Sequence, residues 1–438
     1  MVTHLDKFAF GILLCICNLS ALHAEDWRHW RGPSATGETK TDSAPLSWSD
    51  TQNVVWKVGV PGKGHSTPIA VGELVVVTTA VAVGEKLPPR LSGRPGAHDN
   101  AAVDSRYDFL VIAYDRVTGS ERWRKTVNNT LPREGGHSTA SLASHSPVAD
   151  DKVVVASFGS HGIYCFDHSG KILWEKQLGQ MHSKHGHGEG SSPVLFEDLV
   201  AINWDHEEQS FVVVLDKLTG EEVWRRDRDE VTSWSSPIVV TIDDRPQLVV
   251  CGTSRVRGYD LKSGDVVWEC GGMSGNVVAS PVFANGLLYV GSSYEKRILM
   301  AIDITAAEGD VTGSEHVKWS TTRGTPYVPS LLLANQGLYY LAHYQNILTR
   351  VDATTGEPAP GPMRLGDLGN IYASPVATEK AVYITDLEGV TMVLSSGDKP
   401  ELLSVNQLGE PVAASLAIAD GSIFIRGEQH LFRVSSAN

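Results

Sequence analysis

One phrase returns along this chain and constrains its fold more than any other feature. It consists of a small polar residue and Pro, an apolar alternation, a second β-prone run, then Asp-x-x-x-Gly and a Trp. It starts at Ser66-Thr67-Pro68, Ser146-Pro147, Ser192-Pro193, Ser236-Pro237, Ser280-Pro281, Ser330-Leu331, Ser374-Pro375 and Ser415-Leu416. From position 193 the successive intervals are 44, 44, 50, 44 and 41 residues, a period that belongs to blades of four strands. Asp115 to Gly119, Asp216 to Gly220, Asp260 to Gly264 and Asp352 to Gly356 keep a spacing of four, and Trp123, Trp174, Trp224 and Trp268 each follow a Gly by four.

Each unit divides into strands A to D; in the third they are 193–196, 199–204, 210–216 and 222–225. Val, Ile, Leu, Tyr and Phe fill these runs, while Gly, Asp and Asn punctuate them. A blade alone cannot bury both of its faces, so neighbours must cover it, and a ring closes the series. Gly permits the tight C to D turn, which lets the following Trp lie in the seam between blades. Trp56, Trp123, Trp174, Trp224 and Trp268 are therefore assigned to seams. The last unit, 415–434, has room for three strands only, whereas Asn53-Val54-Val55-Trp56-Lys57-Val58 reads as an orphan strand D. Pairing the two would close the ring and remove an exposed edge. The expectation is an all-β protein, an eight-bladed β-propeller of four-stranded antiparallel blades occupying 53–438 behind an N-terminal extension at 25–52.

Residues 1–24 read as an export signal: Lys7, an apolar run over 8–17, and Ala24 ahead of the polar Glu25-Asp26. Cleavage near Ala24 would place the mature chain in the periplasm or outside the cell. No later apolar stretch reaches the roughly 18 residues of a membrane span. Asp plus Glu number 51 against 37 Lys plus Arg, a formal net charge of -14, which disfavours nucleic acid and anionic lipid as partners. Only Cys165, Cys251 and Cys270 remain beyond the leader. With a strand between them, Cys251 and Cys270 would lie about 9 to 10 Å apart, too far to bridge. Free, mostly buried thiols and a monomer are expected.

Repeats reading Ala113-Tyr114-Asp115 through Thr118-Gly119 to Trp123 resemble the quinoprotein-type (pyrroloquinoline-quinone-like, PQQ-like) propeller repeat over nearly the whole mature chain. The opening Trp27-Arg28-His29-Trp30-Arg31-Gly32-Pro33 is similar to the start of many secreted bacterial propellers of that kind. The resemblance implies three kinds of relative: quinone-dependent alcohol dehydrogenases, the propeller lipoprotein of outer-membrane protein assembly, and sensor domains attached to kinases. Dehydrogenases of this type use a disulfide of adjacent cysteines, a calcium held by carboxylate and amide oxygens, and a catalytic Asp. This chain has no adjacent Cys pair beyond its leader, and Glu189, Asn203 and Asp205 match the calcium set by chemistry alone. Asp-Phe-Gly, His-Arg-Asp, Gly-x-Ser-x-Gly and His-Glu-x-x-His motifs are absent.

Antiparallel blades put the D to A connections and B to C loops on one face, where nearly every departure from the repeat falls. The first B to C loop swells over 80–108 and carries His98 and Asp99; long irregular loops of this kind are usually functional or disordered. His137, then His182, His185, His187 and Glu189, follow in the next two D to A connections, and Asp205 and His206 lie in the third B to C loop. His161 and His343 map to the same face. A second set precedes strand A, where the chain enters the innermost strand: His65, His145, Glu189, Trp234, Tyr327 and Tyr372. Aromatics and a carboxylate around a concave mouth suit a planar ligand or a peptide. His98, Asp99, His137, Glu189, Asp205 and His206 are expected to converge there. The leading expectation is an exported, non-catalytic ring that binds a small ligand or an exported protein through this face. A PQQ-dependent dehydrogenase holding a divalent cation, and an assembly or scaffold role, are the alternatives.

Overall fold

The structure is a computed structural model describing residues 25–436 apart from 42, 343 and 367, so the export signal and His343 lie outside the described residues. Eight sheets succeed one another along the chain, each built on four antiparallel strands. In the third, strands A to D are Val194–Phe196, Leu199–Trp204, Ser210–Asp216 and Glu222–Arg228. In the eighth, Ala417–Ala419, Ser422–Arg426 and His430–Ser435 are completed by Val54–Gly59, which pairs with the last of them. No helix among the described residues is long and apolar enough to cross a membrane.

The apolar core is distributed between blades, because side chains alternate across a strand. Val213 and Leu215 of the third blade pack with Val153 and Val155 of the second, whereas Val212 and Val214 pack with Leu248 and Val250 of the fourth. Cys165, Cys251 and Cys270 are buried free thiols.

The Asp-x-x-x-Gly turns prepare a dock for the Trp of the preceding blade. Asp216 Oδ1 accepts the N–H groups of Leu218 and Thr219 at 2.9 and 2.8 Å, and Gly220 turns through a left-handed φ of 71°. Trp174 lies on that glycine, where a Cβ would come within 2.6 Å of its ring, and its Nε1 donates to the Lys217 carbonyl at 2.8 Å. Trp56 on Gly119 and Trp224 on Gly264 repeat the arrangement, as does Trp123 on Gly170, whose turn from Asp167 is one residue shorter. So does Trp319 on Gly356, a pair that lies outside the spacing rule.

The fourth and fifth blades depart from the repeat. Instead of a tight turn, residues 304–316 join Ile298–Asp303 to Val317–Thr321 of the fifth blade. On the way, Gly309–Asp310 pairs parallel with Val266–Gly271, so the fourth sheet has five strands rather than the expected four. With no glycine turn to receive it, Trp268 folds over Gly258 of its own blade and donates to Gln247 Oε1 at 2.8 Å.

The small polar residue that opens each unit forms a belt around the central channel. The Thr67 N–H donates to Ser146 Oγ, Ser146 to Ser192, Ser192 to Ser236, Ser236 to Ser280, Ser280 to Ser330, Ser330 to Ser374 and Ser374 to Ser415, all at 2.8 to 2.9 Å. Pro usually follows these residues, and its missing N–H removes a donor that the innermost strand could not pair.

The extension crosses the opposite face of the ring. Trp27 exchanges main-chain hydrogen bonds with Ala70 of the first blade, and the Ala149 N–H of the second donates to the Arg28 carbonyl. The Leu333 and Ala377 N–H groups of the sixth and seventh blades donate to the carbonyls of Thr36 and Gly37. Arg31, 1% exposed, donates to the Leu331 and Pro375 carbonyls at 2.6 and 2.9 Å. Chain entry thus spans the ring and fastens blades far apart in sequence.

Candidate functional site

A cavity of about 450 Å³ occupies the channel on the loop-rich face. Trp30 of the crossing segment contributes to its lining together with hydroxyls of the serine belt. The walls come from residues that immediately precede strand A. His65, Glu189, Trp234, Tyr327 and Tyr372 all line it, because a residue at that point in the repeat stands at the top of the innermost strand. Tyr294 and Tyr344, from the B to C loops of the fifth and sixth blades, extend the aromatic wall. Tyr294 stacks on Tyr327 with centroids 5.9 Å apart, and Tyr344 meets Tyr327 edge-on at 5.5 Å. The Trp234 Nε1 donates to the Gly188 carbonyl at 2.7 Å, fixing the indole.

Glu189 is held from behind. Its Oε2 accepts the Ser160 N–H at 2.7 Å and its Oε1 accepts the Ser160 hydroxyl at 2.5 Å. Gly159 makes this approach possible, since a Cβ there would lie 1.6 Å from Oε2. Burial outweighs these hydrogen bonds and pushes the Glu189 pKa up to about 7. His145 sits behind the wall rather than in it, in a small void shared with His161 and Glu189. Burial lowers the pKa of both histidines to about 4.

Three loops far apart in sequence interlock over one side of the mouth. Arg94 pairs with Glu134 at 3.1 Å and contacts His182. The Ser183 hydroxyl donates to Glu134 Oε2 at 2.7 Å, and Asn100 Nδ2 donates to the carbonyls of His185 and Gly186 at 2.8 Å. Lys184 reaches Glu295 across the mouth at 2.9 Å. Asp99, His137 and His187 from these loops line the cavity. The His187 Nδ1 donates to Asn100 Oδ1 at 2.8 Å, and burial lowers its pKa to about 4. His137 Nδ1 is within 2.8 Å of the Thr139 hydroxyl. His98 stands on the rim, 78% exposed, 3.2 Å from Asp99.

Two residues expected at the mouth lie elsewhere. Asp205 is fully buried and pairs with Arg228 through contacts of 2.7 and 3.2 Å. Its Oδ2 also accepts the Ser233 hydroxyl at 2.7 Å. His206 is buried beside the cavity wall, where its backbone N–H donates to Ser210 Oγ, its Nε2 meets the Gln209 carbonyl at 3.1 Å and its Nδ1 accepts the His182 N–H of the mouth loop at 3.2 Å. A buried arginine needs a carboxylate more than the channel does, and strand D of the third blade supplies one. Sequence reading also missed Trp30, Tyr294 and Tyr344. Trp30 was visible in the opening motif, but nothing local shows that this motif crosses the ring.

The lining fits a quinone of the PQQ type poorly. That group is a tricarboxylate, and among the described residues that line the cavity there is no Lys or Arg. Glu189, Asn203 and Asp205 do border a common void of about 10 Å³, but the Arg228 guanidinium already neutralises Asp205 and would repel a divalent cation. No group of three or more His, Cys, Asp or Glu side chains among the described residues is placed to hold a metal ion.

A protein-family profile described as outer membrane protein assembly factor BamB matches residues 107–359. Among solved structures, BamB from Moraxella catarrhalis superposes with a TM-score of 0.55 at 14% identity, covering 81% of this chain and 98% of that one. A europium-containing methanol dehydrogenase superposes with a TM-score of 0.46 at 12% identity, covering 93% and 90%. The curated proteins contain no match to the chain.

Proposed function

From the premise that the chain belongs to the PQQ-like-repeat family described as outer membrane protein assembly factor BamB, we propose that it is an exported, non-catalytic propeller that binds a small ligand in its central cavity. The cavity itself is the observation that carries the reading. It has the volume of a small-molecule site, tryptophan and tyrosine rings on its wall, and serine hydroxyls, imidazoles and two carboxylates placed among them. Export rests on the leader at 1–24 and on the family, and the ring is read as a monomer because neighbouring blades cover each other's apolar faces.

The test is native mass spectrometry of the mature protein purified from its own host, with His137→Ala and Trp234→Leu alongside. A bound small molecule in the wild type, lost in both variants while thermal unfolding is retained, is the expected result. A ligand-free wild type that binds nothing from a periplasmic metabolite extract would refute the reading. The family match favours a second reading, in which the loop-rich face docks an exported or outer-membrane protein. In that case crosslinking from the rim residue His98, replaced by a photoreactive side chain, would capture a membrane protein in the native host.

A further inference from the structure

The charge pattern of the cavity is one-sided, and it narrows the class of ligand. Its lining among the described residues has two carboxyl groups, Asp99 and a Glu189 that burial leaves only partly charged at neutral pH, and neither Lys nor Arg. His65 and His187 add no positive charge at neutral pH, because burial depresses their pKa values to about 3 and about 4. An anion entering this space would leave its hydration shell and find no cation to replace it. Tyrosine and tryptophan rings instead offer negative π faces, the surface that attracts ammonium groups.

The aromatic wall is built rather than incidental. Tyr327 stacks on Tyr294, whose plane is inclined by 19°, and meets Tyr344 edge-on at 82°. Trp234 has its only donor committed to the Gly188 carbonyl, so what its ring can offer a ligand is π surface. The formal net charge of -14 raises the local concentration of cations around the molecule.

We infer that the cavity selects a small organic cation, with a quaternary ammonium or similar group held against the tyrosine wall near Tyr327. This inference rests on the ligand-binding reading of the same cavity and adds the ligand's charge.

Three isosteric probes test it on the mature chain: choline, its uncharged analogue 3,3-dimethylbutan-1-ol, and the anion 3,3-dimethylbutanoate. Binding is followed by calorimetry and tryptophan fluorescence. Choline should bind about tenfold more tightly than the alcohol, as a desolvated cation–π contact allows, and the carboxylate should bind least. Tyr327→Phe, which keeps the π face, should retain choline affinity, whereas Tyr327→Leu should lose about tenfold. Equal affinity for alcohol and choline, or preference for the carboxylate, would overturn the cation inference while leaving a ligand-binding cavity standing. Absence of binding by all three at millimolar concentration would also overturn it, and native mass spectrometry would then decide separately whether the cavity holds any ligand.

Discussion

Replacing Asp205 with Ala separates architecture from ligand binding, because this carboxylate lies beside the candidate site but belongs to a buried ion pair. Both Asp205 and Arg228 side chains have 0% exposure, and two contacts of 2.7 and 3.2 Å join them. Burial works to lower the Arg228 pKa, but Asp205 and Tyr259 outweigh it and hold the guanidinium charged. Without Asp205 the buried charge keeps the Tyr259 hydroxyl at 2.7 Å and the field of Glu230. Breaking such a pair from one side costs about 3 to 5 kcal/mol, and the neighbouring Glu230 places the expected loss near the lower end, about 3 kcal/mol. Urea denaturation followed by tryptophan fluorescence measures it, and choline titration of the folded variant should be unchanged. The double variant Asp205→Leu with Arg228→Met removes the stranded charge and should recover more than half of the loss. A single variant within about 0.5 kcal/mol of the parent would refute the argument, since that is the range of ordinary surface changes.

Trp174→Ala should destabilise by about 3 to 5 kcal/mol, as deletion of a buried aromatic does, and Gly220→Ala should destabilise as well, through a Cβ placed 2.6 Å from that ring at positive φ; unchanged urea midpoints would refute the docking role. Acidification should lower the thermal midpoint between about pH 6.5 and 4. His29, His145 and His161 are held neutral with pKa values near 3, 4 and 4, so the unfolded chain binds more protons in that window and stability falls with pH. Glu189, raised to about 7, opposes this because it takes up its proton in the folded state, but three imidazoles outweigh one carboxyl; a midpoint that is flat or rises on acidification would contradict the burial of these histidines. Removing residues 25–40 should lower the thermal midpoint and make Trp234 more accessible to acrylamide, because it deletes Trp30 from the lining and the Arg31 ties to the sixth and seventh blades.

What the sequence determined by itself is the repeating architecture, because each unit carries its own local instructions. Alternating Val212, Val213 and Val214 specify two buried faces, and Asp216 with Gly220 specifies the turn that receives Trp174. The third-blade strands accordingly start and stop within a few residues of where periodicity and punctuation put them. The same regularity makes position in the repeat a measure of distance from the axis, which is why His65, Glu189, Trp234, Tyr327 and Tyr372, all just ahead of an innermost strand, share one cavity. Only the tertiary structure decided where irregular segments go. Asp205 and His206 look like mouth residues in a B to C loop, but Arg228 from strand D claims the first, and Ser210, Gln209 and the His182 N–H hold the second outside the lining. Trp268 keeps the Gly-to-Trp spacing yet finds no glycine turn on the fifth blade, where residues 304–316 run instead. Trp30 joins the lining because its segment spans the whole ring, a contact between residues more than 300 positions apart at Arg31 and Pro375. Local pattern encodes φ, ψ and burial within one unit, whereas the partner of a long loop or a buried charge is set by whichever distant group the closed ring brings within reach.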